Sequence, residues 1–150
     1  MESLIGAVPF QVARASAALP AAGAYDPAPL VMMCAGFDSA ILYFSYVRGG
    51  AAGAFKFKVE VSPHASDSII YPSWFQSTLY EDGGVVAGSD STSEMQREEV
   101  SYTATGAAEE KFAYGKIKLG GSIQRIRVAC AESGNVGAPG SLQILATFWE

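Results

Sequence analysis

Apolar and polar side chains alternate with a period of two over residues 54–61, where Phe55, Phe57, Val59 and Val61 fall on one side and Lys56, Lys58 and Glu60 on the other. Successive side chains of an extended chain leave opposite faces, so this pattern predicts a half-buried strand with the aromatic side inward. Residues 40–47 keep the same period but are apolar on both sides, with Leu42, Phe44 and Tyr46 on one and Ile41, Tyr43, Ser45 and Val47 on the other. Such a strand is central and covered twice, or covered once by the core with its second face in an interface. Residues 30–35 are wholly apolar and predict a fully buried strand.

Further strand-coded runs occupy residues 69–79 (bent at Pro72), 99–105, 111–119, 122–131 and 141–149. The glycine-rich 48–54 segment is expected to close a hairpin, and Gly120-Gly121 a second, tighter one. Residues 62–68, with Pro63, His64 and Asp67, read as a turn, and residues 83–97 as a long mobile polar surface loop. No sustained helical period follows Leu30. The expected fold is all-β: a two-sheet β-sandwich over residues 30–150, for which jelly-roll connectivity is one solution. Periodicity does not give the strand order.

Residues 1–29 differ from the rest. They are rich in alanine and carry Pro9, Pro20, Pro27 and Pro29, which prevent one long helix. A short helix near residues 11–18 competes with an extended N-terminal arm, and the arm is the preferred reading. Leu4, Ile5, Val8, Phe10 and Val12 give it an apolar surface that water does not favour. It either packs on its own domain or lies across a neighbour, and these five residues are candidate partner contacts.

Composition sharpens this picture. Hydrophobic residues make up 49% and charged ones 17% of the 150-residue chain, against about 25% charged in an average domain. Either some surface is covered by a partner, or the sandwich has uncharged polar faces. The net charge of −5 and scattered Lys/Arg argue against a nucleic-acid partner. No apolar run reaches the roughly 18 residues of a membrane helix. The N-terminus lacks a basic signal-peptide region, Glu2 being its first charge, so a soluble protein not exported by the general pathway is expected. Cys34 and Cys130 sit in apolar stretches and read as buried free thiols, consistent with synthesis in the cytoplasm.

Candidate chemistry is sparse. His64 lies beside Ser62, Ser66 and Asp67, but adjacency in one turn does not build a catalytic triad. The acidic doublets Glu81/Asp82, Glu98/Glu99 and Glu109/Glu110 read as solvated strand ends, and residues 89–94 lack the spacing of a calcium loop. Tyr71, Trp74, Phe75 and Tyr80 keep a sugar-binding reading open, although Trp74 reads better as a core anchor between sheets. Arg125 and Arg127 share one side of their strand. Facing inward they would need partners such as Glu132 and Glu60; facing outward they would form an interface stripe, which is the favoured reading. No catalytic residue, metal site or cofactor is expected.

Three stretches in one order carry a family resemblance. They are AILYFSYVRGGAAGAFKFKVEVSPHASD, the Trp strand around YPSWF, and GSIQRIRVACAESGNVGAPGSLQILATF. Together they resemble small β-rich virion structural proteins of phages, and within that group capsid decoration (cement) proteins. The resemblance implies a non-enzymatic homotrimer that is made in the host cytoplasm. It would bind the major capsid protein on the capsid exterior, without nucleic acid, membrane or cofactor. A neck, tail or fibre-base component is the alternative among virion proteins, and a carbohydrate-binding β-sandwich is the alternative outside them.

Overall fold

Leu42, Phe44 and Tyr46 of β3 (Ser39–Val47) face Phe55, Phe57 and Val59 of β4 (Ala54–Ser62) across the interior of a sandwich, all six buried. The computed structural model describes residues 10–67, 73–80 and 96–150. The remaining strands are β1 (Gln11–Ala18), β2 (Met32–Met33), β5 (Phe75–Gln76), β6 (Leu79–Tyr80), β7 (Gln96–Arg97), β8 (Val100–Thr103), β9 (Glu110–Lys118), β10 (Arg125–Glu132) and β11 (Ser141–Trp149). One sheet, here sheet A, runs β1-β11-β3-β9. Sheet B runs β2-β10-β4, with β5 and β8 both pairing β4, and β6 pairs β7. Every pairing is antiparallel.

The long strands nest. Setting aside the short β5, β6 and β7, the first strand pairs with the last (β1 with β11), the second with the next to last (β2 with β10), then β3 with β9 and β4 with β8. A long hairpin rolled up so that successive strands alternate between two sheets gives this order, which is the jelly roll. The fold is therefore all-β, as the alternation predicts, and the jelly-roll option is the one realised.

Two expected hairpins are corrected. β3 and β4 lie in different sheets, as do β9 and β10. The 48–53 loop and the Gly120-Gly121 turn, whose φ values are 67° and 75°, each carry the chain from one sheet to the other. Turn chemistry specifies where a strand ends, not which strand it pairs with. Residues 30–35 are also corrected. Met32 and Cys34 are buried, but Leu30, Val31 and Met33 are exposed, and only Met32–Met33 pairs, at the edge of β10. The expected strand over 69–79 survives as two short pieces, β5 and β6, with residues 68–72 outside the described residues. The 83–97 loop falls outside them too, except for Gln96 and Arg97 of β7.

The boundary near Leu30 also moves. Residues 11–18 are neither a helix nor a free arm: β1 pairs along β11, and Ala13 and Leu19 enter the core. Arg14 secures this edge. Its guanidinium lies 3.1 Å from Asp26 Oδ1 and donates to the carbonyls of Ala17, Leu142 and Ala18 at 2.8, 2.6 and 3.1 Å. A nearly buried guanidinium is tolerable only when its donors are met in this way. Asp26 is itself fixed to β10, receiving the Cys130 N–H and donating its own N–H to the Cys130 carbonyl.

Phe44 organises the aromatic interior, with ring centroids of Phe57, Phe112 and Phe55 at 4.8, 5.1 and 5.5 Å. Phe57→Ala should cost about 3–5 kcal/mol in denaturant unfolding, the range for emptying a close-packed aromatic site. A chain lacking residues 1–18 should lose β1 and the Arg14 anchor together, and its melting temperature should fall well below that of the full chain. An unchanged melting temperature would mean that β1 adds nothing to the domain.

Candidate assembly surface

The outer face of sheet A has little charge and mixes apolar with uncharged polar side chains. Its outward positions include Val12 of β1; Ser141, Gln143, Leu145, Thr147 and Trp149 of β11; Ser39, Ile41, Tyr43, Ser45 and Val47 of β3; and Ala113, Lys111 and Lys118 of β9. β3 is central in this sheet, so its double apolar character is explained. One side fills the core and the other forms the middle of an open face. Phe10 stands at its margin, 58% exposed, with its ring edge-on to Tyr43 at 5.1 Å. Among the described residues, charge on this face lies along the β9 side, as Lys111 and Lys118, with Glu109 accepting the Ser45 hydroxyl. Of the five arm residues expected to touch a partner, Phe10 and Val12 lie on this face, while Leu4, Ile5 and Val8 are outside the described residues.

The outer face of sheet B is covered by the chain's own segments. Arg125 and Arg127 point outward, as expected, but they do not form a bare stripe. Trp74 lies over both, with guanidinium carbons 4.7 and 4.1 Å from its ring. Arg125 is buried: it pairs with Asp67 at 2.8 Å and donates to the His64 carbonyl at 2.7 Å. Arg127 pairs with Glu60 at 3.1 Å. These hydrogen bonds from Arg125 hold the Asp67 carboxyl below the usual carboxylate range. Trp74 is thus a clamp on the outside of the sandwich, which corrects its reading as a core anchor. Next to it, Lys58 sits 4.5 Å over the Tyr25 ring.

Glu132 is not an arginine partner. It is 1% exposed and receives five hydrogen bonds, from the Tyr46 hydroxyl and from the backbone N–H groups of Ala54, Gly134, Asn135 and Gly140, at 2.8 to 3.1 Å. Burial pushes its carboxyl up, but the Ala54, Gly140, Tyr46 and Gly134 hydrogen bonds outweigh that and hold it below the ordinary glutamate value. The chain around it is packed so closely that a Cβ on Gly140 would lie 2.5 Å from the Tyr46 ring, and one on Gly134 2.5 Å from the Ala54 nitrogen. An acidic residue closing a strand before a Gly-rich loop is the only hint of this role in the sequence.

The other candidates are not brought together. His64 is exposed in its turn, where its backbone carbonyl, rather than its imidazole, serves Arg125. Glu99 accepts from Tyr25 and pairs with Lys56, and Glu110 accepts from Thr105. Among the described residues no three His, Cys, Asp or Glu side chains converge as metal ligands. Cys34 and Cys130 are free and buried, and burial pushes the Cys34 thiol up to about 11. Tyr71 and the Tyr80 side chain lie outside the described residues, which leaves Trp74 and the half-exposed Phe75 of the expected aromatic cluster.

No family model matches the sequence, and no curated protein matches it. Among solved structures, the chain is similar to one in the structure of infectious bursal disease virus, Gx strain, with a TM-score of 0.51 and 11% identity over 94% of this chain. A chain in the crystal structure of an IBDV viral particle aligns over 97% of this chain at 8% identity, with a TM-score of 0.48. The chain spans 32% and 31% of the lengths of those two. At 11% identity the likeness to the first is one of fold.

Glu132 gives a pH test. Its value in the folded protein lies below the unfolded one, so its contribution is complete above about pH 4.3 and is lost as pH falls through the folded value. Glu132→Gln should lower stability at pH 7 by about 2–4 kcal/mol, because backbone donors lose a charged acceptor. It should also flatten the decline of stability below about pH 4.3. Denaturant unfolding of both proteins at pH 7 and under acid measures each effect.

Proposed function

We propose that this protein is a virion structural protein, and more narrowly a decoration protein that binds and stabilises the outside of a phage head. The observation that carries the reading is the nested jelly roll, a fold similar to that of a chain in a virus structure, with exposed apolar side chains Phe10, Val12 and Val47 on the low-charge outer face of one sheet. Fold alone does not assign function. The low-charge face adds a physical reason for assembly, since exposed apolar side chains grouped on one surface mark sites of association. Binding would proceed by burial of area, repeated over a lattice so that modest contacts act together. The role is non-catalytic and needs no cofactor. Its partners would be the major capsid protein and further copies of the chain, in the trimeric arrangement that the family resemblance implies.

The sugar-binding reading has less support. Of the aromatic cluster read for it, Trp74 is engaged by two guanidinium groups and Phe75 stands exposed, while Tyr71 and the Tyr80 side chain lie outside the described residues.

Sedimentation with empty phage heads is the test. The protein should pellet with the shells to a saturable stoichiometry and raise the temperature at which they come apart. A protein that remains in the supernatant at tens of micromolar, well above the affinity expected of a repeated standard interface, would rule the reading out.

A further inference from the structure

We infer that the hollow between β1 and residues 26–30 is a socket for one extended residue of a partner chain, held by the backbone of Val128. This rests on the assembly reading above and names a contact by which a partner's loop is gripped.

One edge of β10 has a missing rung. In an antiparallel ladder the N–H and C=O of alternate residues point to the same neighbour. On the side of β10 away from β4, the Gln124 carbonyl accepts the Cys34 N–H at 2.9 Å, and Ile126 pairs with Met32. Cys130 accepts the Asp26 N–H at 2.9 Å and donates its own N–H to the Asp26 carboxylate at 3.1 Å. Val128 lies midway between Ile126 and Cys130, so its N–H and C=O point to this same side. Among the described residues no group meets either of them. Val128 is 1% exposed. A buried donor and acceptor left together without partners are rare in folded proteins.

The chain cannot fill the rung itself. Between Asp26 and Met32 the covering segment bows away, residues 27–31 spanning what residues 127–129 span on β10. Pro27 and Pro29 in this bow have no N–H to give. The bow leaves a hollow of about 260 Å³, lined by Ala13, Ala15, Ala17, Pro29, Leu30 and Val128 among others. Ala15, Ala17 and Leu30 are exposed, so the hollow opens at the surface. Arg14 and Asp26 also line it, but they are engaged with each other.

These groups select the occupant. A carboxylate would suit the Val128 N–H and oppose the C=O, and an ammonium would do the reverse. One residue of extended backbone turns its own C=O and N–H to the same side and meets both. Asp26 and Met32 hold the flanking rungs, so the guest is a single residue, and the alanine and proline walls suit a small uncharged side chain. The contact is strand addition reduced to one rung, made by the tip of a partner's loop.

Nuclear magnetic resonance of the full-length protein tests it at the Val128 amide. That amide should exchange its hydrogen about tenfold faster than Ile126 and Cys130, the factor of one absent hydrogen bond. N-acetyl-alanine N-methylamide should shift the Val128 resonance and slow its exchange. The ester analogue of the same shape, which lacks the N–H, should not. Ala17→Leu and Ala15→Leu each fill the hollow from β1 and should abolish the response, either one sufficing if the other misfolds. Ser16→Leu, exposed on the same strand and outside the lining, should keep it. The two alanine variants should also bind empty phage heads about tenfold or more weakly than Ser16→Leu. Val128 exchange as slow as that of its two neighbours, no response to the amide, or an equal response to the ester overturns the inference. Head binding that neither alanine variant weakens overturns it as well. A protein that answers to the amide but never pellets with heads supports the socket and removes the decoration role instead.

Discussion

Two loops that carry the chain between the sheets at one end of the sandwich converge on the Glu132 carboxylate. The 48–53 loop leaves β3 in sheet A for β4 in sheet B, and the 133–140 loop leaves β10 in sheet B for β11 in sheet A. At such a crossing the backbone N–H groups have no ladder partners, yet the packing of Gly140 on Tyr46 and Gly134 on Ala54 keeps water from reaching several of them. Donors left bare in that setting would each cost about 1–3 kcal/mol. One buried carboxylate accepts four of them and the Tyr46 hydroxyl as well. The jelly roll's crossovers at that end therefore depend on a charge held inside the protein, and Gly134 and Gly140 are there because nothing larger fits.

A second buried charge holds the β1 edge. Arg14 joins β1 to the Asp26 carboxylate and three carbonyls, and Asp26 in turn holds the backbone of Cys130. The 24–30 segment is thereby drawn along β10, which places Tyr25 beside Lys58 on sheet B. Polar anchors and aromatic clamps thus finish one outer face of the sandwich. Among the described residues, the outer face of sheet A receives only the Phe10 ring, on Tyr43. Its β3 strand is apolar on both sides, and the low charge content of the chain is concentrated in its effect on this one surface.

Much of the strand content was legible in the chain. The alternation at β4 and the register of Leu42, Phe44 and Tyr46 follow from period-two patterning, and both sets are buried as that patterning requires except Val61, which is only partly buried. The double apolar character of β3 was legible as well; of its alternative, one face in the core and the second in an interface, the structure shows the core half. Arg125 and Arg127 lie on the side of β10 away from the core row, but Arg125 is buried and Arg127 takes Glu60, the partner named for the inward reading, so they form no bare stripe. Their burial was not legible, because Trp74, which covers them, is about fifty residues away in the chain and nothing local joins the two. Glu132 escaped for the same reason: its donors come from Tyr46, Ala54 and a loop beyond it, so no motif records the site. β1 was misjudged because alanine is a good helix former and a poor strand former, so nothing local marks a strand and pairing with β11 decided the matter.

What the sequence determined by itself is therefore local: which segments are extended, which of their sides are apolar, and where glycine and proline end them. These properties depend on side-chain period and backbone freedom within a few residues. Only the tertiary structure decided which strand pairs with which, turning two apparent hairpins into crossings between sheets and making the first strand the neighbour of the last. It also decided which apolar faces are spent in the core and which remain open. Those outcomes rest on contacts between residues tens to more than a hundred positions apart, such as Arg14 with Leu142, and the pattern of any one segment is compatible with several partners until the whole chain has closed on itself.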